Sequence, residues 1–322
     1  MKKIFIRIAK ILGFEIIDQN NFSSPTLQKE LNEDLTVINE KSIVLPLGEV
    51  KIKRKVRSLL NIVRMNTEVE IWDQNKKRLF EQPKIEYSIR SIKSLITSIN
   101  FCQKKNPNLK IKTIIIFDKG SDDNLDKIKE IIHNKNIEIL FVDHEKSKDV
   151  IKQQNKHETF SNLASLLKSF EVGKKNGEDL IYFLEDDYIH FETMLEEMVN
   201  SYERIASQLD KDIFMCPSDY PYLYTNNKKT NILIGSKRHW RTIDKTLCTF
   251  LTSKSLLIRY WDKFYKTCLD RHDPFEKYIN EIYETEVCLS PIKSLSLHLT
   301  NINSSYGLAP FIDYKKLWNE NK

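Results

Sequence analysis

Leu180-Ile-Tyr-Phe-Leu-Glu-Asp-Asp-Tyr188 is an apolar run that ends in three consecutive carboxylates. The apolar part has the length and composition of a buried strand, and strands of parallel sheets are often continuously apolar in this way. In open α/β sheets the carboxyl ends of the strands face the crevice where ligands bind. Three neighbouring anions are costly unless a cation holds them, and hard divalent ions prefer carboxylate oxygens. We therefore interpret Glu185, Asp186 and Asp187 as a metal site that can hold a diphosphate; a solvated acidic turn is the alternative.

The composition fits one large folded domain with appendages and excludes some classes of nucleotide-binding protein. The chain has 322 residues, of which 40% are hydrophobic, enough for a sizeable core. It has only 7 glycines and contains neither the P-loop pattern nor the dinucleotide-binding Gly-x-Gly-x-x-Gly pattern. The net charge of +6 is not accompanied by the arginine and aromatic pattern typical of nucleic-acid binding, so we expect no nucleic-acid partner.

Cysteine spacing and hydropathy indicate the compartment. The 5 cysteines are scattered and never form a Cys-x-x-Cys pair, which favours free thiols in a reducing compartment over disulfides or a zinc site. No apolar stretch approaches the roughly 18 residues needed to span a bilayer. We therefore expect a cytoplasmic protein, and the sequence leaves its oligomeric state open.

The opening segment, residues 1–13, is both basic and apolar. As a helix it places Ile4, Ile8, Ile11 and Leu12 along one stripe. Such a stripe suits either peripheral contact with the inner face of a membrane or packing against the rest of the protein. We expect packing.

The apolar pattern divides the chain near residue 66. Residues 1–65 are expected to form an extension that packs on the main domain, with a strand at 42–47. In the main domain, residues 66–322, strands and amphipathic helices alternate, which predicts a parallel sheet with right-handed crossovers. The predicted strands are residues 69–72, 111–117, 137–142, 180–184 and 212–216. The predicted helices carry apolar stripes at residues 89–99, 125–132, 160–170, 191–205 and 275–282, and the third is expected to end near Gly173 and Gly177.

Three ordered segments resemble the glycosyltransferases of family 2. Ile114-Ile-Ile-Phe-Asp-Lys-Gly-Ser-Asp-Asp-Asn124 is similar to that family's strand-end signature, although Lys119 replaces the usual second aspartate. Residues 162–184 resemble the segment that leads into the family's Asp-x-Asp motif, and the acidic triplet stands where that motif belongs. The resemblance implies a GT-A fold, which is an α/β, Rossmann-like, mostly parallel central sheet flanked by helices. It also implies a nucleotide-sugar half at 66–187 and an acceptor half at 188–322.

The resemblance implies roles for particular residues. Asp187 would coordinate the metal with Glu185 in support, and Asp186 would reach the ribose or sugar of the donor. Asp118 would meet the base or ribose of the nucleotide; an ordinary turn aspartate before Gly120 is the alternative. The candidate donor contacts in this half are Asp118, Ser121, Asn162 and Asp186. Capping of the next helix is the alternative role for Ser121.

The second half of the chain adds candidates for diphosphate binding and proton transfer. Arg238 and Arg241 could clamp a diphosphate through paired hydrogen bonds, and Trp240 could face a sugar ring, although a structural role fits this segment too. An inverting transferase needs a carboxylate that deprotonates the acceptor hydroxyl. The candidates for that base are Asp273, then Asp244 and Asp219. Capping of the next helix is the alternative role for Asp273. His298 resembles the additional metal ligand of some GT-A enzymes, and a purely structural histidine is the alternative.

These signals together predict a metal-dependent glycosyltransferase. We expect Mn²⁺ or Mg²⁺ as cofactor and a UDP- or GDP-sugar as donor. The expected acceptor is a saccharide or a lipid-linked compound, as in bacterial surface polysaccharide or lipopolysaccharide synthesis. One alternative is a sugar nucleotidyltransferase, whose Gly-rich, arginine-bearing loop is missing from this sequence. Another is a non-catalytic carbohydrate- or nucleotide-binding protein on the same fold, which the intact triplet disfavours.

Overall fold

The chain divides into two compact units, Met1–Ile52 and Lys53–Lys322, in this computed structural model. The residues that the structure describes are 2–14, 51–68, 78–152, 157–225, 229–300, 302 and 304–322. In the first unit they form helix α1 (Lys2–Ile11). The strands predicted at residues 42–47 and 69–72 lie outside the described residues.

Strands and helices alternate in the second unit. The strands are β1 (Ser58–Asn66), β2 (Lys110–Lys119), β3 (Ile137–Phe141), β4 (Leu180–Glu185), β5 (Tyr188–His190), β6 (Phe214–Met215), β7 (Ile232–Ile234), β8 (His239–Ile243), β9 (Phe250–Ser253), β10 (Cys288–Pro291) and β11 (Ser296–His298). The helices are α2 (Lys84–Lys105), α3 (Asp122–Ile132), α4 (His144–Lys148), α5 (His157–Asn176), α6 (Met194–Leu209), α7 (Lys254–Arg259), α8 (Trp261–Leu269), α9 (Lys277–Ile282) and α10 (Tyr314–Glu320).

A nine-stranded sheet with the order β3-β2-β1-β4-β9-β6-β10-β8-β7 organises the described part of this unit. Strands β3, β2, β1 and β4 are parallel, and helices connect them along the chain. Beyond β4 the sheet is mixed, since β9 is antiparallel to β4 and β6 is parallel to β10. Strands β5 and β11 form a separate antiparallel pair. The predicted α/β class, a sheet with parallel strands flanked by helices, is confirmed.

Strand β1 was not predicted from the sequence. It lies between β2 and β4, so the main sheet starts at Ser58 and not at the boundary expected near residue 66. Polar residues interrupt its apolar pattern, but they have buried partners in the fold. Asn61 Nδ2 donates a hydrogen bond to Thr113 Oγ1 on β2 at 3.2 Å, and Arg64 pairs with Glu185 on β4. These partners are distant in sequence, which is why local patterning alone missed the strand.

Two hydrophobic layers cover the two faces of the sheet. One layer packs α2, α3 and α6 against the strands, and the other packs α5, α7, α8 and α9. Because side chains alternate along a strand, Leu59 and Val63 of β1 enter the first layer, whereas Leu60 and Ile62 enter the second. Burial on both faces explains why residues 114–117 of β2 and residues 180–184 of β4 are continuously apolar.

Helix α1 leaves its apolar stripe exposed. The exposed fractions of Ile4, Ile8, Ile11 and Leu12 are 64%, 51%, 78% and 66%. The packing of this stripe against the rest of the protein stays a prediction. Among the helices that the structure describes, none combines the length and apolarity of a membrane-spanning segment.

Helix α5 ends directly before Gly177, the second of the two glycines at which an end was predicted, and Gly173 lies inside it. A Cβ atom at Gly173 would lie 2.7 Å from Cζ of Phe183 on β4. Glycine is therefore needed at this position for the close approach of α5 to the sheet, and it does not end the helix.

Replacing Gly173 with alanine should lower the free energy of unfolding by about 1 kcal/mol. Overpacking against the buried Phe183 ring costs roughly 1–3 kcal/mol, while the better helix propensity of alanine returns at most about 1 kcal/mol. Urea unfolding measures the difference. Lys175→Ala, at an exposed position of the same helix, is the control and should change little. A higher unfolding midpoint for Gly173→Ala would show that the helix has room to move away from the sheet.

Candidate functional site

The carboxyl ends of β1, β2 and β4 bring polar residues together at one edge of the sheet. Asn66 ends β1, between Asp118 near the end of β2 and the acidic triplet, which begins at the last residue of β4. Asn66 Nδ2 donates a hydrogen bond to Asp118 Oδ2 at 2.9 Å, and its backbone N–H donates to Asp186 Oδ2 at 3.3 Å. The parallel strands thus place groups from distant parts of the sequence side by side, at the edge where α/β proteins bind ligands.

Glu185 is neutralised by an arginine on the neighbouring strand. Arg64 lies directly opposite Glu185 in the β1–β4 register, and Arg64 Nη2 is 2.5 Å from Glu185 Oε1. Arg64 Nη1 also donates to Asn162 Oδ1 on α5 at 2.6 Å. The arginine is buried, so these charge-assisted hydrogen bonds tie β1, β4 and α5 together beneath the crevice.

Asp186 contacts helix α2, which lies on the other side of the sheet from α5. Lys84, the first residue of α2, places Nζ 2.5 Å from Asp186 Oδ1, and Ser88 Oγ donates to Asp186 Oδ2 at 2.5 Å. Asp186 is buried, and its charge is balanced by the lysine and by the start of a helix. Two of the three carboxylates therefore have cationic side-chain partners, so repulsion within the triplet does not by itself require a bound cation, contrary to the expectation from the sequence.

Asp187 is arranged differently. Its Oδ2 atom accepts a hydrogen bond from Thr300 Oγ1 at 2.6 Å and lies 3.4 Å from His298 Nε2. Its Oδ1 atom is buried and has no hydrogen-bond partner within the described ranges. Strands β5 and β11 create this proximity, because Tyr188, the residue after Asp187, pairs with His298 across the ladder.

The contact of His298 Nδ1 determines which ring nitrogen is directed at Asp187. His298 Nδ1 lies 3.1 Å from the backbone carbonyl oxygen of Tyr306. A carbonyl only accepts hydrogen bonds, so Nδ1 carries a proton and Nε2 faces Asp187. The ring also stacks on Tyr188 with 4.7 Å between centroids. A metal-binding histidine commonly donates its other N–H to a carbonyl in this way.

Burial and ion pairing have opposite effects on the pKa values of the titratable groups at this site. Burial opposes ionisation of Asp187, but the charge and hydrogen bond of His298 outweigh it and hold the pKa of Asp187 below its usual range. Burial lowers the pKa of His298, yet Asp187 and Glu185 raise it above its usual value. At Glu185 burial outweighs the attraction of Arg64, and the pKa is raised.

Glu276 is a buried carboxyl group that was not predicted. It lies at the N-terminus of α9, and its Oε1 atom accepts a hydrogen bond from Cys248 Sγ at 3.7 Å. Burial, followed by the charge of Glu185, raises the pKa of Glu276 to about 7. The spacing of Glu276 with Ile279 and Tyr283 places it on the buried stripe of the helix, a signal that the sequence contains.

Asp118 and Ser121 already have protein partners. Asp118 Oδ2 accepts hydrogen bonds from Asn66 and the Ser161 hydroxyl, and His144 Nε2 lies 2.8 Å from Asp118 Oδ1. Asp118 thereby joins two strands and two helices at the edge of the crevice. Ser121 is the N-cap of α3, where its side chain accepts from the backbone N–H of Asn124, so the capping role is confirmed.

The basic segment around Trp240 has mainly structural contacts. Trp240 is fully buried and its Nε1 donates to Ser201 Oγ at 3.1 Å, so the prediction that it faces a sugar ring is wrong. Its indole is large and apolar and fills the core under β8.

Arg241 pairs with Asp219. Arg238 Nη1 donates to the carbonyl oxygen of Lys293 at 2.8 Å. The described contacts of these two arginines are with protein groups other than the triplet.

The candidate bases lie in different environments. Asp273 and Asp244 are exposed, and Asp244 lines a cavity of about 270 Å³ together with Tyr222 and Tyr283. Asp219 is buried in its pair with Arg241, where burial raises its pKa. Asp219 is therefore the least available of the three to an acceptor hydroxyl.

Within the described ranges, no group of three or more His, Cys, Asp or Glu residues is placed to hold a metal ion.

Comparison with known proteins gives distant structural likenesses. No protein-family model and no curated protein matches the sequence. The chain is similar to residues 1–349 of S. aureus TarS, with 11% identity, a TM-score of 0.43, and coverage of 74% of this chain and 59% of that one. It thus spans about three fifths of the TarS structure. It is also similar to UDP-glucose pyrophosphorylase complexed with UDP-glucose, with 8% identity, a TM-score of 0.39, and coverage of 83% and 97%. A third likeness is to galactosyltransferase LgtC in complex with donor and acceptor sugar analogues, with 10% identity, a TM-score of 0.34, and coverage of 70% of each chain.

Replacing Glu276 with glutamine should change how stability depends on pH. In the folded protein Glu276 keeps its proton up to a pH of about 7, compared with a usual value of 4.5. Between these values the folded state binds the additional proton, so the free energy of unfolding decreases as the pH rises. Glutamine does not titrate. Relative to wild type, the variant should therefore gain up to roughly 3 kcal/mol between about pH 5 and pH 8.

Urea unfolding at the two pH values tests this expectation. Glu284→Gln makes the same chemical change at an exposed position nearby and is the control. If Glu276→Gln and wild type lose stability in parallel as the pH rises, the carboxyl group of Glu276 is ionised in the folded protein across this range.

Proposed function

We propose that the protein is a metal-dependent glycosyltransferase that moves a sugar from a nucleotide-diphosphate donor to a saccharide or lipid-linked acceptor. The observation that carries the proposal is the state of Asp187. This carboxylate lies at the ligand-binding edge of parallel strands, one of its oxygens is buried without a hydrogen-bond partner, and His298 Nε2 is 3.4 Å from the other.

Asp187 and His298 have the chemistry to hold Mn²⁺ or Mg²⁺. Such a cation commonly binds through one or two carboxylates and shares its other positions with water and substrate phosphates, so a small protein ligand set is sufficient. The hydrogen bond from His298 Nδ1 to Tyr306 keeps Nε2 directed at the site. Glu185 is a supporting carboxylate in this proposal. When bound, the cation supplies Lewis-acid stabilisation of the charge on the departing diphosphate.

The other residues of the crevice position the donor. Arg64 and Lys84 hold Glu185 and Asp186 rigidly, so Asp187 stands on a fixed strand end. We assign the nucleotide to the edge formed by residues 66–187, where Asp118, Ser121, Asn162 and Asp186 shape the crevice. We assign the acceptor to residues 188–322, where Arg238 adds positive charge and the charge of Arg241 is balanced by Asp219.

A lipid-linked acceptor is supported by the exposed apolar stripe of α1. The donor would be a UDP- or GDP-sugar. The five free cysteines are all buried, as suits a reducing compartment, where we place the enzyme in bacterial surface polysaccharide or lipopolysaccharide synthesis.

A thermal-shift panel of UDP- and GDP-sugars with Mn²⁺ or Mg²⁺ tests the proposed site. A ligand at a concentration of about 100 times its Kd stabilises the folded state by about 2.7 kcal/mol, which raises the Tm by a few degrees. The correct donor should give this shift in the presence of metal and no shift in its absence. Asp187→Asn keeps the side-chain size and should abolish this shift.

Asp123→Asn, at an exposed position in the first turn of α3, is the matched control and should respond like wild type. Equal responses of wild type and Asp187→Asn to every donor would exclude Asp187 from donor and metal binding. A shift without any sugar transfer would favour a carbohydrate- or nucleotide-binding protein instead.

Turnover of the identified donor distinguishes the candidate bases. Loss of a general base typically lowers kcat by about 10²–10⁴-fold. We expect this loss for Asp273→Asn, with Asp244→Asn as the comparison, and an unchanged donor-induced thermal shift in both variants. Both positions are exposed, so neither substitution should unfold the protein. If kcat is retained in both variants, the base lies elsewhere and Glu276 becomes the next residue to test.

A further inference from the structure

Helix α1 contains an unusually dense group of exposed large hydrophobic side chains. Six of the fourteen such residues in the described chain lie within residues 4–14, and the remaining eight are spread over residues 52–311. Phe5 is 71% exposed and Phe14 is 70% exposed. Single exposed apolar residues are ordinary, but a contiguous patch marks a binding surface.

The patch occupies one side of the helix. At about 100° per residue, five apolar positions fall in an arc of roughly 120°, and the position of Ile6 falls outside it. The positions in this arc are Ile4, Phe5, Ile8, Ile11 and Leu12. The positions of Lys3, Arg7 and Lys10 fall in a neighbouring sector of roughly 60°. An apolar side bordered by basic positions is the pattern of helices that lie in the plane of a membrane surface.

The charge of this segment is entirely of one sign. Residues 2–14 contain three lysines and one arginine and no aspartate or glutamate. Anionic lipid headgroups complement this charge, whereas the apolar side requires a partner that accepts insertion without a preformed groove. A lipid surface meets both requirements at once.

We propose that α1 binds the surface of an anionic lipid bilayer, with its apolar stripe inserted among the acyl chains and its basic positions at the headgroups. The helix has 10 residues and is therefore about 15 Å long, which is sufficient to lie on the surface and too short to span the bilayer. A single element of this size gives reversible attachment. The inference stands whether or not the protein transfers a sugar.

Co-sedimentation of the full chain with lipid vesicles tests the proposal. One set of vesicles is phosphatidylcholine alone, and the other contains equal parts of phosphatidylcholine and phosphatidylglycerol. We expect at least about tenfold tighter partitioning to the anionic vesicles, weakening as salt is added. Ile8→Asn removes an apolar residue without changing the charge and should weaken binding about tenfold. Arg7→Gln should weaken binding to the anionic vesicles by roughly fivefold.

Ile258→Asn is the matched control. Ile258 is on helix α7 and is 50% exposed, compared with 51% for Ile8, so the same substitution should leave vesicle binding unchanged. Urea unfolding should give the same midpoint for both variants and wild type, which separates lost binding from lost folding.

Three results would overturn the proposal. One is the absence of sedimentation with anionic vesicles, and another is equal binding by Ile8→Asn and wild type. The third is a dimer, measured by sedimentation equilibrium without lipid, that dissociates in the Ile8→Asn variant, together with no binding of wild type to vesicles. In that case a second copy of the chain covers the stripe.

Discussion

The ion pair between the buried Arg64 and the half-buried Glu185 is the interaction on which the rest of the site depends. It joins the central strand β1 to β4 at the level where both strands end, and it extends to α5 through Asn162. Removing Glu185 would leave the buried charge of Arg64 without this partner, which destabilises a fold. The position of Asp186 and Asp187, one and two residues further along the chain, is therefore set by an interaction inside the sheet.

The three carboxylates of the triplet are stabilised in three different ways. Glu185 pairs with an arginine on a strand, Asp186 with a lysine at the start of a helix, and Asp187 with a histidine from the C-terminal part of the chain. The first two charges are balanced within the protein. Of the three described carboxylates of the triplet, only Asp187 has a buried oxygen atom without a hydrogen-bond partner. This difference between adjacent residues supports the proposal that Asp187 is the member of the triplet that contacts a ligand.

The regular elements of the parallel half could be predicted from the sequence to a large extent. Strands β2 to β4 and helices α2, α3 and α5 coincide with apolar runs and stripes, since burial on one or two faces imposes the periodicity directly. Strand β1 could not be recognised, because Asn61 and Arg64 look unfavourable in a buried strand until Thr113 and Glu185 are placed beside them. Trp240 was misassigned for the converse reason: its aromatic side chain suits a sugar-binding role as well as the core position it occupies.

Some features of the candidate site follow from neighbouring residues in the sequence, and others depend on residues that are distant in the chain. The order of residues alone established an acidic group at the end of a buried strand, because charge and apolarity change abruptly within a few positions at Leu184 and Glu185. Which of those acids remains available for a ligand was decided by tertiary structure. Lys84 approaches from one helix and His298 from a strand more than one hundred residues away. Electrostatic interactions act through space, so the state of each carboxylate depends on partners that its neighbours in the chain do not reveal.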